Sequence, residues 1–133
     1  MSADLQAHVK SDRFQAVTSV RGLPLGVRDA MRMLWGSQTV DIADPDGEFR
    51  ASEAITTGAS TRRMAVAGCS NDHCLVYYER GGRNATWRLA LFHWTPSATK
   101  MEWGGVAPAG LKTLDDVRNV VVKGNIQDPG GSW

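Results

Sequence analysis

The strongest constraint on this chain is a short polar loop between its only two cysteines, Cys69 and Cys74. The flanking segments, 63–68 and 75–79, are predominantly apolar and both predict strands. Two strands that meet at a polar loop indicate a β-hairpin with the cysteines at its base. A disulfide there would hold the loop in one shape and create a rigid tip for contacting another molecule. The residues of this predicted binding tip are Ser70, Asn71, Asp72 and His73.

The hairpin belongs to a longer run, 63–103, that predicts an antiparallel meander of about four to five strands. Turn residues separate the strands at 81–84 and at 95–98. In the strand predicted over 86–94, the two alternating faces are both largely apolar. We therefore expect this strand in the middle of the sheet.

Helices are predicted on both sides of the meander in sequence. Leu23-Pro24 opens one, because Pro is tolerated in a first turn, and Gly36 has the character of a C-terminal cap. Between them the apolar residues recur at helical spacing. A last helix begins at Thr113, with Asp116 in the capping-box position.

The order of helices, strands and a final helix predicts an α+β fold, with an antiparallel sheet and helices packed on one face. The length of 133 residues favours a single domain over 1–133. We expect an N-terminal arm or helix over 1–20 and a flexible tail over 125–133. The segment Asp44–Gly47 has the composition of a type I turn.

Charge and hydropathy exclude several classes of partner. The formal net charge is +1 and the basic residues do not cluster, which argues against a nucleic-acid partner. No apolar run approaches the ~18 residues that a membrane span requires. Residues 1–6 lack the basic and apolar segments of a signal peptide. We expect either a cytoplasmic protein or an exported one whose leader was removed, and two cysteines at hairpin spacing favour the periplasm or the cell exterior.

Four interpretations of the cysteine loop are open. The first is a recognition tip that carries Asp72 and His73, and the second is a structural disulfide with a solvated turn. A zinc site is less well supported, since the adjacent His73 and Cys74 do not follow the usual zinc-hairpin spacing. A nucleophilic cysteine beside a histidine lacks a Gly-rich oxyanion signature. We therefore predict no catalytic residue, no metal ligand and no cofactor.

Other residues with chemical potential have simpler explanations. His93 lies in a predicted strand, so we expect it to be in the core or half-buried. His8 lies in the N-terminal segment, so we expect it to be exposed. The three histidines are too far apart in sequence to predict a common site. Strand tryptophans more often belong to a core than to a binding platform. This applies to Trp87, Trp94 and Trp103.

The loop and its flanking strands resemble the Ivy-type periplasmic inhibitors of vertebrate lysozyme. That family is small and α+β, and its disulfide-closed hairpin of pattern Cys-x-x-His-x-Cys inserts a histidine into the lysozyme cleft. Cys69 and Cys74 match the cysteine pair, and the similarity extends over residues 60–104. The family's histidine position is Asp72 here, and His73 follows one place later.

A second similarity is to bacterial proteins that share a Tyr-Glu-Arg-Gly-Gly hairpin and a Trp-Gly-Gly strand end. These motifs are Tyr78–Gly82 and Trp103–Gly105 in this chain. This similarity implies no activity.

The sequence thus favours a non-enzymatic, exported binding or inhibitor module with a disulfide-pinned hairpin tip. The resemblance implies a protein partner, with a muramidase such as lysozyme as the leading candidate. One alternative is a small metal- or thiol-dependent enzyme that uses the loop between Cys69 and Cys74. Another is an interaction domain of a larger assembly, and the oligomeric state is open.

Overall fold

The computed structural model describes residues 1–48, 61–81, 86–130 and 133. The described residues form three α-helices, five strands and one 3₁₀ turn at Val20–Gly22. In chain order the elements are α1 (Ala3–Ser11), β1 (Gln15–Ala16), α2 (Leu25–Leu34), β2 (Arg62–Cys69), β3 (His73–Arg80), β4 (Thr86–Thr95), β5 (Ala98–Ala107) and α3 (Leu114–Val122).

The five strands form one antiparallel sheet in the order β1-β2-β3-β4-β5, so the α+β class and the meander are confirmed. The two-residue turn at Pro96-Ser97 joins β4 to β5, as the sequence predicts. The predicted turn at 81–84 lies mostly outside the described residues. Strand β1 was not predicted, and it pairs with the end of β2 beside Cys69.

The prediction that the helices pack on one face requires a correction, because they lie on both faces. Val27 and Met31 of α2 pack against the face that carries Tyr78. Val9 of α1 and Val117 of α3 belong to a second core on the opposite face. Both faces of β3 and β4 are apolar, so each face needs a cover.

Local signals place the ends of two helices. Helix α2 follows Pro24, whose backbone is extended, and Gly36 after it has the left-handed φ of 65°. In α3 the capping box is confirmed. The Thr113 hydroxyl accepts from the Asp116 amide at 3.1 Å, and the Asp116 carboxylate accepts from the Thr113 amide at 3.3 Å.

The turn over Asp44–Gly47 forms, with the Gly47 amide donating to the Asp44 carbonyl at 2.8 Å. Asp46 has a φ of 69°, which is typical of the third position of a type II turn. The predicted type I geometry is therefore wrong, while the position of the turn is confirmed.

The C-terminal segment contacts the last strand. The backbones of Gln127 and Val106 exchange two hydrogen bonds, of 2.7 and 2.9 Å. The guanidinium of Arg62 donates to the carbonyl oxygen of Trp133 at 2.8 Å. The mobility predicted for residues 125–133 stays a prediction.

None of the helices among the described residues is both long enough and apolar enough to cross a membrane.

Candidate functional site

The base of the hairpin is closed by a disulfide between Cys69 and Cys74, whose Cα atoms lie 4.1 Å apart. These two residues are also directly paired in the ladder between β2 and β3. The predicted disulfide is therefore present in the structure. Bonded cysteines offer no thiolate, so in this state neither residue serves as a nucleophile or as a zinc ligand.

The loop that the disulfide closes is docked on the C-terminal end of α1. The Ser70 hydroxyl lies 3.2 Å from a carboxylate oxygen of Asp12, the residue that follows α1. Within the loop, the Ser70 amide donates to the His73 carbonyl at 2.7 Å, and the His73 amide donates to the Ser70 hydroxyl at 3.1 Å. The tip is thus held against the body of the molecule at its base and on one side.

The four residues of the predicted binding tip differ in their access to solvent. Asn71 is exposed, and the Asp72 side chain is 44% exposed. Ser70 is half-buried, and His73 is only 4% exposed. His73 therefore points into the molecule, and the loop presents Asn71 and Asp72 outward.

All three histidines of the chain converge at this end of the sheet. The ring of His8, on α1, lies against the ring of His73 with centroids 4.3 Å apart and planes tilted by 30°. On its other side His73 meets the edge of His93, with centroids 5.2 Å apart and planes at 73°. His93 is half-buried in β4, as predicted, and pairs with His73 across the ladder.

This convergence was missed from the sequence, which predicted no common site for the histidines and an exposed His8. One local signal was present: His8 and Asp12 are four residues apart, which places two polar side chains on one face of a helix. The sequence does not tell which part of the sheet that face covers.

Two carboxylates bind the imidazoles. Asp12 lies 2.9 Å from Nδ1 of His8 and 3.7 Å from Nδ1 of His73, while Asp72 lies 2.8 Å from the same nitrogen of His73. The hydrogen bond to Asp12 raises the pKa of His8 above its usual value, with burial opposing it. The hydrogen bond from His73 lowers the pKa of the Asp72 carboxyl, because it favours the charged form.

These four side chains have the composition of a metal site. His8, Asp12, Asp72 and His73 each offer one ligand atom, and these atoms all lie within 4.8 Å of one another. Imidazole nitrogens and carboxylate oxygens are ordinary ligands of divalent transition metals.

A polar recess of about 560 Å³ opens between the loop and the end of α1. It carries two carboxylates and one guanidinium, so it offers hydrogen-bond acceptors and donors together. Its lining residues are His8, Asp12, Arg13, Gln15, Cys69, Ser70, Asn71 and Asp72.

The three strand tryptophans pack on the two cores, as the sequence predicts. Trp87 stacks on Tyr77 with ring centroids 5.1 Å apart and planes at 12°. Trp94 packs on the face that α2 covers, and Trp103 on the opposite face. The aromatic side chains of the sheet are therefore explained by packing.

Comparison with known proteins identifies no relative: no protein-family model, no curated protein and no solved structure matches this chain. The similarity to Ivy-type inhibitors accordingly stays a prediction from the cysteine loop.

Proposed function

We propose that this protein is a non-enzymatic binding module whose recognition surface is the loop 70–72 together with the recess beside α1. The observation that carries this proposal is the double restraint on the loop. The bond between Cys69 and Cys74 closes its base, and the contact between Ser70 and Asp12 holds its side. A surface ordered before binding loses less conformational entropy when a partner docks.

The contact residues differ from those that the resemblance implies. Asn71 and Asp72 are the loop side chains with the best access to a partner, since His73 is buried. We assign Asn71 and Asp72 direct hydrogen bonds to polar groups of the partner. His73 supports Asp72 from inside through the 2.8 Å contact between Nδ1 and the carboxylate.

We infer an oxidising location, the periplasm or the cell exterior. The support is the disulfide, since such bonds persist outside the reducing cytoplasm. A cell-wall hydrolase of the muramidase class is the proposed partner, and its cleft offers polar groups that the loop would occlude.

The experiment is an inhibition assay with a panel of muramidases, in which cell-wall clearing is measured against the concentration of this protein. We expect at least one enzyme to be inhibited, and Asn71→Ala and Asp72→Asn each to weaken inhibition at least about tenfold, as hot-spot residues at the centre of an interface do. Asn119→Ala is the matched control, because Asn119 is exposed on α3 and belongs neither to the loop nor to the lining of the recess. If no enzyme is inhibited, the muramidase partner is rejected. If both loop variants inhibit as well as the wild type, the recognition surface is rejected.

A further inference from the structure

Two helix-end residues and two hairpin residues form the most concentrated group of metal-ligating side chains in the described part of the chain. We propose that His8, Asp12, Asp72 and His73 bind one divalent transition-metal ion, with zinc as the principal candidate. This site goes beyond the proposed recognition function and does not depend on it, because zinc can bind whether or not a protein partner exists.

The distances are close to those that a tetrahedral ion requires. Zinc bonds to nitrogen and oxygen are about 2.0–2.2 Å long, so the ligand atoms of a tetrahedral site lie about 3.4 Å apart. Asp12 lies 2.9 Å from Nδ1 of His8 and 3.7 Å from Nδ1 of His73. All four ligand atoms lie within 4.8 Å of one another. The widest of these separations exceeds the tetrahedral value by at most about 1.4 Å, so side-chain rotations of that size would complete the site.

Helix α3, which packs on the same face of the sheet as α1, holds the α1 half of the site. The guanidinium of Arg118, on α3, donates to the carbonyl oxygens of Val9 at 2.8 Å, Lys10 at 2.9 Å and Asp12 at 2.8 Å. These carbonyls belong to the end of α1, where the helix leaves its last acceptors without helical partners. Arg118 therefore fixes the backbone that carries His8 and Asp12.

The hairpin half is held by the disulfide and by a hydrogen-bonding serine. The bond at Cys69 fixes the loop that carries Asp72 and His73. The Ser70 hydroxyl lies 3.2 Å from Asp12 and 3.5 Å from Asp72, so it contacts both carboxylates. Hydrogen bonds to ligating carboxylates orient them, and their loss typically weakens a metal site.

The ligand set selects the class of ion. Two imidazoles and two carboxylates suit zinc and its neighbours in the first transition row. Calcium and magnesium prefer oxygen ligands alone, so the histidines argue against them. The side chains of His8 and Asp72 are 33% and 44% exposed, which leaves a route for an ion from solvent.

The same four residues also satisfy one another without metal, through contacts of 2.8 and 2.9 Å between imidazole and carboxylate. The competing explanation is that these two ion pairs have a purely structural role. It predicts that the four side chains stabilise the junction between α1 and the hairpin but do not bind zinc stoichiometrically.

The test is calorimetric titration of zinc chloride into chelator-treated wild-type protein under non-reducing conditions, with the disulfide intact. We expect one zinc ion per chain and a higher melting temperature with zinc, because the ion binds the folded state. His8→Gln and Asp72→Asn should each lower the affinity for zinc at least about tenfold. Asp29→Asn, at an exposed position of α2 on the other face of the sheet, should leave the affinity unchanged.

A second measurement needs no variant: cobalt added to the wild-type protein should give the visible absorption of a tetrahedral Co²⁺ complex with nitrogen and oxygen ligands. The proposal is overturned if the wild type binds no zinc, or if both variants bind zinc as tightly as the wild type. Loss of muramidase inhibition alone would leave the zinc result unaffected, so the two proposals fail separately.

Discussion

The imidazole rings of His8 and His73 lie against each other with centroids 4.3 Å apart, although one belongs to the first helix and the other to the central hairpin. Asp12 contacts both rings, and the disulfide at Cys69 fixes the hairpin side. One contact region therefore joins the N-terminal helix, the hairpin loop and the recess between them. The proposed recognition surface and the proposed zinc site both depend on this junction.

The disulfide should make a moderate contribution to stability. Cys69 and Cys74 are separated by five residues in sequence, so their bond closes a short loop. Restricting the unfolded chain in this way raises the free energy of unfolding by about 2 kcal/mol. We expect the double variant Cys69→Ala/Cys74→Ala to lose about this amount in urea denaturation monitored by circular dichroism. Adding reductant should destabilise the wild type and leave the double variant unchanged. Equal sensitivity of both proteins to reductant would contradict the assignment.

Two methionines on α2 provide a matched test of how α2 packs on the sheet. Met31 is fully buried and Met33 is 71% exposed. Met31→Ala should lower the free energy of unfolding by about 2–5 kcal/mol, because it leaves a cavity between α2 and the sheet. Met33→Ala should change it by less than about 0.5 kcal/mol. If the two variants have the same denaturation midpoint, Met31 is not packed between α2 and the sheet.

The capping box of α3 predicts a smaller effect. Thr113→Ala removes the hydroxyl that accepts from the Asp116 amide, and this should cost about 1 kcal/mol. Thr18→Ala, at an exposed position outside the helices, is the control and should be nearly neutral. Thermal denaturation of the two variants, compared with the wild type, provides the measurement. A larger loss from Thr18→Ala than from Thr113→Ala would refute the assigned cap.

The two tyrosines of the chain predict the behaviour at alkaline pH. Burial raises the pKa of both Tyr77 and Tyr78 above the usual value of 10.0. Above pH 10 the unfolded chain releases phenolic protons that the folded chain retains, so the unfolded state binds fewer protons. Stability from these groups is therefore fully present below pH 10 and declines as the pH rises toward the folded pKa values.

The measurement is the absorbance of tyrosinate as a function of pH, recorded together with circular dichroism. We expect little tyrosinate near pH 10 while the fold is intact, and its appearance at higher pH together with unfolding. Tyr77→Phe and Tyr78→Phe assign the signal to each residue. A full tyrosine titration centred at pH 10 in folded protein would show that the phenols are not shielded.

Local chemistry explains what could be predicted from the sequence. The capping box between Thr113 and Asp116 spans a single helical turn, and Gly36 lies two residues beyond the end of α2. The hairpin over Cys69–Cys74 is also local, since its two strands are neighbours in the chain. The apolar character of both faces of β4 correctly indicated a central strand.

What was missed depends on packing between distant segments. Strand β1 has two residues, and only its position beside Cys69 makes it a strand. The approach of His8 to His73 depends on where α1 crosses the sheet, which the pattern of apolar residues does not specify. The placement of the helices on one face was wrong because apolar residues on both faces of β3 and β4 require two covers.

The most direct test of the account is the mass of the intact native protein, measured before and after exposure to zinc without reductant. A bond between Cys69 and Cys74 predicts a mass two hydrogens below that of the reduced chain. The junction of His8, Asp12, Asp72 and His73 predicts an increase that corresponds to one bound zinc ion, which Asp72→Asn diminishes. A protein with both thiols reduced and no zinc adduct would contradict the account at its centre.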